Sequence, residues 1–262
     1  MKLDLYQVDA FTDQIFKGNP ACVVPLQEWL PDKLLLNIAM ENAVAETAFF
    51  VKQDAGYHLK WFTPEIEMDL CGHATLATAH ILRTVLGHTK NQVTFFTRSG
   101  ELTVLMEEDH YVLNFPSRMP VPSSLPVIIR DAINIQPKEV FKSRDYVLVY
   151  EREEEVRNIK INRNVFDQIN LDPGGMIVTA TGDTCDFVSR FFTSQASILE
   201  DQVTGSAHCS LIPFWSNRLN KKEMLAMQLS ARGGKLYCKD LEDRVLIGGK
   251  ARTYSNGKLW TE

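Results

Sequence analysis

Several common signatures are missing from this sequence. It contains no GxGxxG, GxxxxGK[ST], GxSxG or HExxH motif, so dinucleotide-binding, phosphate-loop, hydrolase and zinc-protease functions have no support. It also lacks an excess of basic residues, because 28 lysines and arginines stand against 33 aspartates and glutamates. Without a cationic field, binding to nucleic acid or to an anionic membrane is not expected. These absences favour a small molecule as the partner.

Paired cysteines and long apolar runs are lacking too. The five cysteines show no CxxC spacing, and an odd number in 262 residues is not typical of a disulfide framework. No apolar run approaches the roughly 20 residues of a membrane span. The N-terminal stretch MKLDLYQVDAFTD alternates polar and apolar residues, unlike a signal peptide. We therefore expect a soluble protein of the reducing cytoplasm.

Short β-rich runs dominate what is present, and helical candidates are few, which predicts an α+β fold. The segment SRMPVPSSLP contains three prolines and no periodicity, and it predicts a linker over 118–126. The expected domains are therefore 1–117 and 127–262. The last strand is a candidate to return to the N-terminal half.

The two halves resemble each other. Phe62-Thr63 recurs 130 residues later as Phe192-Thr193, and Gly72 recurs 133 residues later as Gly205. In both halves two β-rich runs precede a glycine and then a run of small and apolar residues. This pattern predicts a duplicated unit of strand, strand and helix.

The helix that ends each repeat is expected at about 72–87 and at about 205–219. Apolar residues cover nearly the whole circumference of both, which is typical of a helix surrounded by protein. Pro213 should kink or break the second helix, because it lacks a backbone N–H. The sequence thus predicts two similar domains, each a curved, barrel-like sheet wrapped around one buried helix. The two helix starts are expected to face a cleft between the domains.

Both helix starts are candidate anion sites. The N–H groups in the first turn of a helix lack partners within the helix, and the helix dipole favours a negative charge there. Gly72 in one repeat, and Gly205 with Ser206 in the other, permit close approach of a substrate carboxylate. The alternative is that Thr75, Ser206 or water satisfies these groups.

The stretch MDLCGHATLATAHIL raises three readings of its cysteine and histidines. Metal binding by Cys71, His73 and His80 is not expected, because Cys-x-His should point two side chains apart at a helix start and no common zinc spacing is present. Cys71 could be an activated thiol or a small buried residue. Its repeat partner is Thr204, which cannot supply the second acid or base of a two-base epimerase. His73 is a candidate hydrogen-bond donor or proton carrier.

Glu46 is the acid that is hardest to explain structurally. It lies between Ala43-Val44-Ala45 and the apolar run 48–51, and its repeat partner is expected to be Met176. A carboxyl group in such a setting resists ionisation, as a general acid/base requires, although it could instead cap a backbone amide. Asp201 precedes the second helix and could serve the site or cap the helix.

The order and spacing of several stretches are similar to those of one family: VDAFTDQIFKGNPACVV, AETAFF, WFTPEIEMDLCGHATLATA, LNFPS and SILEDQVTGSAH. Over essentially its whole length the sequence resembles the PhzF family of phenazine-biosynthesis-like isomerases. The resemblance implies a diaminopimelate epimerase-like fold of two pseudo-symmetric halves. It also implies a proton shift within one substrate, no cofactor, and a homodimer.

The same resemblance implies roles for individual residues. Glu46 would be the general acid/base, and His73 and Asp201 would assist proton transfer or hold the substrate. The implied anion-binding residues at the helix starts are Gly72, Gly205 and Ser206.

Two departures leave the substrate open. Ala45 stands where a hydroxyl residue is expected before the glutamate, and Gln202 stands where proline follows the aspartate in the phenazine enzymes. Dihydro-hydroxyanthranilate, the phenazine substrate, is therefore not implied. The main hypothesis is a cofactor-independent isomerase acting on a small carboxylate between the domains. The alternatives are a Cys71-dependent amino-acid epimerase or racemase, and a non-catalytic carboxylate-binding protein.

Overall fold

The structure is a computed structural model that describes residues 1–172 and 174–261, and it divides into two compact units. The first consists of Met1–Phe115 together with the residues from Ile247 onward, and the second is Pro116–Leu246. Residues 118–126, for which a linker is expected, lie in the second unit. They include a short strand, Val121–Pro122, that pairs with the next strand of that unit.

The first unit has two helices, α1 (Asp32–Asn42) and α2 (Gly72–Thr84). Its strands up to the boundary are β1 (Lys2–Ala10), β2 (Asn19–Leu26), β3 (Glu46–Gln53), β4 (Gly56–Phe62), β5 (Glu67–Met68), β6 (Gln92–Thr97), β7 (Gly100–Glu107) and β8 (His110–Pro116).

The second unit has four helices, α3 (Val127–Ala132), α4 (Glu153–Asn158), α5 (Arg163–Phe166) and α6 (Gly205–Leu219). Its strands are β9 (Val121–Pro122), β10 (Glu139–Lys142), β11 (Tyr146–Val149), β12 (Met176–Thr181), β13 (Phe187–Phe192), β14 (Glu200–Asp201), β15 (Glu223–Gln228) and β16 (Gly234–Asp240). Strand β17 (Arg244–Gly249) leads out of this unit. The last strand, β18 (Ala251–Trp260), pairs antiparallel with β1 in the first unit.

The two units share one strand topology. In the first, β2 is parallel to β3, β3 antiparallel to β4, β4 parallel to β6, and β6 antiparallel to β7. In the second, β11 to β12, β12 to β13, β13 to β15 and β15 to β16 repeat these directions in the same order. The short strands β5 and β14 also pair alike. This agreement confirms the duplication.

The strand register corrects one detail of the repeat. Thr47 lies opposite Phe62, and Met176 lies opposite Phe192. Since Phe62 and Phe192 are equivalent, Met176 corresponds to Thr47 and not to Glu46. Gly175, one residue earlier, is the counterpart of Glu46, so the second unit has no acid at this position.

Helix α2 is the buried centre of its unit. Every residue from Gly72 to Leu82 is buried, and β1, β2, β3, β7 and β18 all contact the helix. The helix ends at Thr84, three residues before the expected end, because the chain turns toward Gly87, whose φ is +72°. None of the helices in 1–172 and 174–261 has the length and apolar character needed to cross a membrane.

Helix α6 spans the expected residues, and Pro213 does not break it. The prediction of a break is wrong. Proline leaves the carbonyl of the residue four positions earlier without its helical donor. Here that carbonyl belongs to Cys209, and it accepts a hydrogen bond from the backbone N–H of Arg118 at 2.9 Å. The main cost of an interior proline is thereby reduced.

Candidate active site

Glu46 is the first residue of β3, and its position depends on how α1 ends. Ala43 closes α1 in the left-handed conformation with φ of 52°, and its N–H bonds to the carbonyl of Ala39. The chain then turns into β3, where Glu46 lies beside Ala21 of the parallel strand β2. The Glu46 side chain is 14% exposed, so its carboxylate is held in a largely dry environment.

His73 is the second residue of α2, and its ring meets the carboxylate of Glu46. The distance between His73 Nε2 and Glu46 Oε2 is 2.9 Å, with the histidine side chain only 3% exposed. No backbone amide of the described residues donates to Oε2, so the arrangement differs from that of a buried glutamate capping a turn. The structure thus brings two of the candidate residues into direct contact.

Asn19 holds the other side of the His73 ring, and sequence reasoning did not single it out. It is fully buried at the start of β2, and its Nδ2 lies 3.0 Å from His73 Nδ1. Since the amide nitrogen can only donate, Nδ1 accepts and the ring proton sits on Nε2, facing Glu46. An imidazolium would need Oδ1 of Asn19 at this position instead. The only sequence signal for Asn19 is its place in the GNP of the first family-like stretch.

Cys71 lies against the same ring. Its Sγ is 3.6 Å from Nδ1 and 4.0 Å from Nε2 of His73, so the expectation that Cys-x-His points two side chains apart is wrong. The reason is that Cys71, the N-cap of α2, has extended backbone angles, with φ of −139° and ψ of 113°. Burial, and then the negative charge of Glu46, raise the pKa of Cys71 to about 11. Cys71 is therefore a neutral thiol near pH 7.

The environment favours the charged form of His73. Burial lowers the pKa of His73, but the negative charges of Cys71 and Glu46 and hydrogen bonds to both raise it, and the net direction is well above 6.5. Because Cys71 is neutral near pH 7, the Glu46 carboxylate is the charge that acts there. Glu46 and His73 thus form a buried pair that can keep a proton on either partner.

The third histidine of the stretch serves the core. His80 Nδ1 lies 2.9 Å from the Tyr111 hydroxyl, and its Nε2 lies 2.9 Å from Thr253 Oγ1. Burial, and then the charge of Arg252, lower the pKa of His80 to about 4. His80 is therefore a neutral, satisfied residue about two turns of α2 away from the candidate site.

The starts of the two buried helices are built alike. Cys71 and Thr204 are the N-caps, and neither side chain accepts a hydrogen bond from its helix. One turn later, Thr75 Oγ1 donates to the Cys71 carbonyl, and His208 Nδ1 donates to the Thr204 carbonyl. The Thr75 hydroxyl is thus directed to a carbonyl and not to an N–H group. Both helix starts keep the amide character that an anion requires.

Asp201 and Gln228 form a network at the start of α6. Asp201 Oδ2 accepts a hydrogen bond from Thr204 Oγ1 at 2.7 Å. The buried Gln228 accepts from the N–H of Thr204 at 2.8 Å and donates to the carbonyl of Asp201 at 2.8 Å. Sequence reasoning missed Gln228, because nothing in its strand marks it as polar and buried. Of the candidate residues, Glu46, Gly72 and His73 lie together in the first unit, and Asp201, Gly205 and Ser206 in the second.

Comparison with known proteins agrees with this arrangement. The chain is 45% identical over 260 residues to an uncharacterized isomerase of Pseudomonas aeruginosa, with 99% of each chain covered. The crystal structure of a phenazine biosynthesis protein of the PhzF family from Enterococcus faecalis superposes with a TM-score of 0.94 at 44% identity, covering 100% of both chains.

A more distant structure shows only the fold. A hydroxyproline epimerase from Agrobacterium vitis superposes with a TM-score of 0.63 at 8% identity, covering 98% of this chain and 92% of the other. The sequence model described as "phenazine biosynthesis-like protein" matches residues 8–257. The chain therefore belongs to the PhzF family of phenazine biosynthesis-like proteins and has the epimerase-like α+β fold of two similar domains.

Proposed function

We propose that this protein is a cofactor-independent isomerase that moves a proton within a small carboxylate substrate, with Glu46 as the general acid/base. The observation that carries the proposal is the buried contact of 2.9 Å between Glu46 and His73 at the start of α2. The isomerase name of the Pseudomonas relative supports the reaction class.

Glu46 takes up and returns the proton in this mechanism. Its carboxylate removes a proton from a substrate carbon, the electron pair of the broken C–H bond shifts into a neighbouring π system, and the same carboxyl group delivers the proton to another carbon. Because Gly175 occupies the equivalent position in the second unit, no second acid of the same type is available there. A single carboxyl group suits a proton shift better than a two-base epimerisation.

The remaining candidate residues bind and orient the substrate. His73, held by Asn19, donates a hydrogen bond to the Glu46 carboxylate or to the substrate. The amides at Gly72, Gly205 and Ser206 bind substrate carboxylate or the oxygen on which negative charge develops. Asp201 holds the start of α6 through Thr204 and assists proton transfer.

Hydrogen exchange with solvent tests the proposal even though the substrate is not identified. The small-molecule fraction of a cell extract is incubated in D₂O with the wild-type protein or with Glu46→Gln, and deuterium uptake is followed by mass spectrometry. The wild type should label at least one metabolite, and the variant, correctly folded, should label it at least about 10³-fold more slowly. Full labelling by Glu46→Gln would remove Glu46 from the mechanism.

The contact between Cys71 and His73 supports a second candidate, a thiol-dependent epimerase. The pKa of Cys71, raised to about 11 by burial and by Glu46, argues against it, since a neutral thiol is a poor base. Cys71→Ala separates the two, because it should abolish exchange only in the epimerase. A non-catalytic carboxylate-binding protein would label no metabolite in either form.

A further inference from the structure

The contact of Cys71 with the Glu46–His73 pair creates a second possibility for this cluster. The ligand atoms of Glu46, Cys71 and His73 all lie within 4.8 Å of one another. Two of the separations are 2.9 Å, from Glu46 Oε2 to His73 Nε2, and 4.0 Å, from Nε2 to Cys71 Sγ. Glu46 Oε2 is also buried without an aligned hydrogen-bond donor among the described residues. The cluster therefore offers one oxygen, one nitrogen and one sulfur around a common point.

These separations are close to those of a metal site. Tetrahedral Zn²⁺, with bonds of about 2.0–2.3 Å to oxygen, nitrogen and sulfur, places its ligand atoms about 3.3–3.6 Å apart. Side-chain shifts of at most about 1.5 Å convert the observed cluster into that geometry. A thiolate and an imidazole in one set favour a soft cation such as Zn²⁺ or Cd²⁺ over Mg²⁺ or Ca²⁺.

The charges of the cluster also fit a divalent cation. A carboxylate, a thiolate and a neutral imidazole carry two negative charges, which a divalent cation neutralises in this buried position. The positive end of α2 opposes a bare cation, but it stabilises both anionic ligands. Asn19 lies 3.0 Å from Nδ1 of His73, where a metal-bound histidine commonly donates to an amide or carboxylate oxygen.

We propose that Zn²⁺ or Cd²⁺ binds to Glu46, Cys71 and His73 and inhibits the enzyme. Three protein ligands leave a fourth position for water, and the bound cation occupies the lone pair with which Glu46 would accept the substrate proton. The inhibitory part rests on the proposed function of Glu46. The binding part does not, because it depends only on the three ligand atoms.

Cadmium titration of the full chain tests the binding. A Cd²⁺–thiolate bond gives an ultraviolet charge-transfer band, which the wild type should develop with one cation per chain. Cys71→Ser should lose the band, and Glu46→Gln should weaken binding by about tenfold or more. The matched control is Cys185→Ser, since Cys185 is the one cysteine that is not fully buried, and it should keep the band. A band that persists in Cys71→Ser, or that disappears in Cys185→Ser, overturns the proposal.

The deuterium-exchange assay tests inhibition separately. One equivalent of Zn²⁺ should slow metabolite labelling by the wild type, and a chelator should restore it. Unchanged labelling by a protein that shows the cadmium band would overturn the inhibitory part. If the proposed function itself fails, Glu46→Gln labels normally, whereas the outcome of the cadmium titration is unaffected.

Discussion

Asn19 contacts His73 across 54 residues of sequence, with 3.0 Å between the amide nitrogen and Nδ1 of the ring. Asn19 begins β2, and His73 is the second residue of α2. The turn before β2 therefore controls the imidazole that faces Glu46. This relationship makes the amide group of Asn19 a determinant of which ring nitrogen carries the proton.

Replacing Asn19 with aspartate should raise the pKa of His73 further. A carboxylate beside Nδ1 accepts a hydrogen bond from the imidazolium and adds a second negative charge next to it. The expected increase is about one pH unit or more. NMR titration of the His73 Cε1–H signal measures it, with the signal assigned from its absence in a His73→Asn variant.

The control for this experiment is Asn42→Asp. Asn42 is half-buried near Glu46, where its amide donates to Thr47 Oγ1 at 3.1 Å and does not contact the His73 ring. The same change of charge should therefore move the His73 titration much less. Equal shifts from the two variants would show that Asn19 acts only through overall charge.

Gly18→Ala should displace Asn19 and disturb the site. A Cβ at residue 18 would lie 2.1 Å from the backbone carbonyl oxygen of Ala10, and the φ of Gly18 is +64°. Backbone cannot yield as a flexible side chain does, so the β1–β2 turn must open. The expected loss is about 3 kcal/mol or more of unfolding free energy. Urea unfolding measures the loss, and the deuterium-exchange assay should show slower labelling.

Gly87→Ala is the matched control, because it separates the steric clash from the backbone conformation. The φ of Gly87 is +72°, but a Cβ there meets nothing within 4 Å. Only the cost of a left-handed alanine should appear, about 1–2 kcal/mol. Similar losses from the two variants would mean that the contact with Ala10 does not matter.

How much of the site the sequence predicts depends on the type of signal. Gly72 and His73 sit where a run of small and apolar residues begins, and Glu46 interrupts an apolar stretch, so all three stand out by pattern. Asn19 and Gln228 do not, because their importance comes from contacts with distant residues. The fold was predicted from the repeat, but the partner of Glu46 was misassigned by one residue. Strand register depends on hydrogen bonds between strands, and a repeat offset does not resolve it.

His208 should make the protein sensitive to acid. Burial lowers the pKa of His208 to about 4, although the bond to the Thr204 carbonyl opposes the shift. Between the unfolded value of about 6.5 and about 4, the unfolded chain binds the proton and the folded chain does not. Stability is therefore full above about pH 6.5 and falls as the pH drops, by about 3 kcal/mol in total.

His208→Asn should remove this contribution. Asparagine offers an amide N–H in place of Nδ1–H for the Thr204 carbonyl, but it does not titrate. Relative to its own stability at pH 7.5, the variant should lose about 3 kcal/mol less than the wild type by pH 4. His80, whose pKa burial and Arg252 also lower to about 4, remains in both proteins. Identical pH profiles from urea unfolding would show that His208 is not buried in its neutral form.

Arg190→Lys should loosen the second unit. The guanidinium donates two bonds to the Glu200 carboxylate, at 2.7 and 2.9 Å, and its Nη1 reaches three carbonyls at the end of α4: Val156, Arg157 and Ile159. The side chains of Arg190 and Glu200 are only 14% and 20% exposed, so the pair is poorly screened by water. Lysine lacks the planar fork that makes these contacts together. The expected loss is about 2–4 kcal/mol.

Hydrogen exchange is the suitable measurement, because it resolves α4 and β14 from the rest of the chain. Their amides should exchange about 30-fold faster or more in Arg190→Lys, and the change should extend to Thr204 through Asp201. Arg163→Lys is the control, since its pair with Asp167 at 3.0 Å is 45% exposed on the arginine side. An exposed pair is worth less than about 1 kcal/mol. If the two variants accelerate exchange equally, Arg190 contributes no more than a surface ion pair, and the start of α6 does not depend on it.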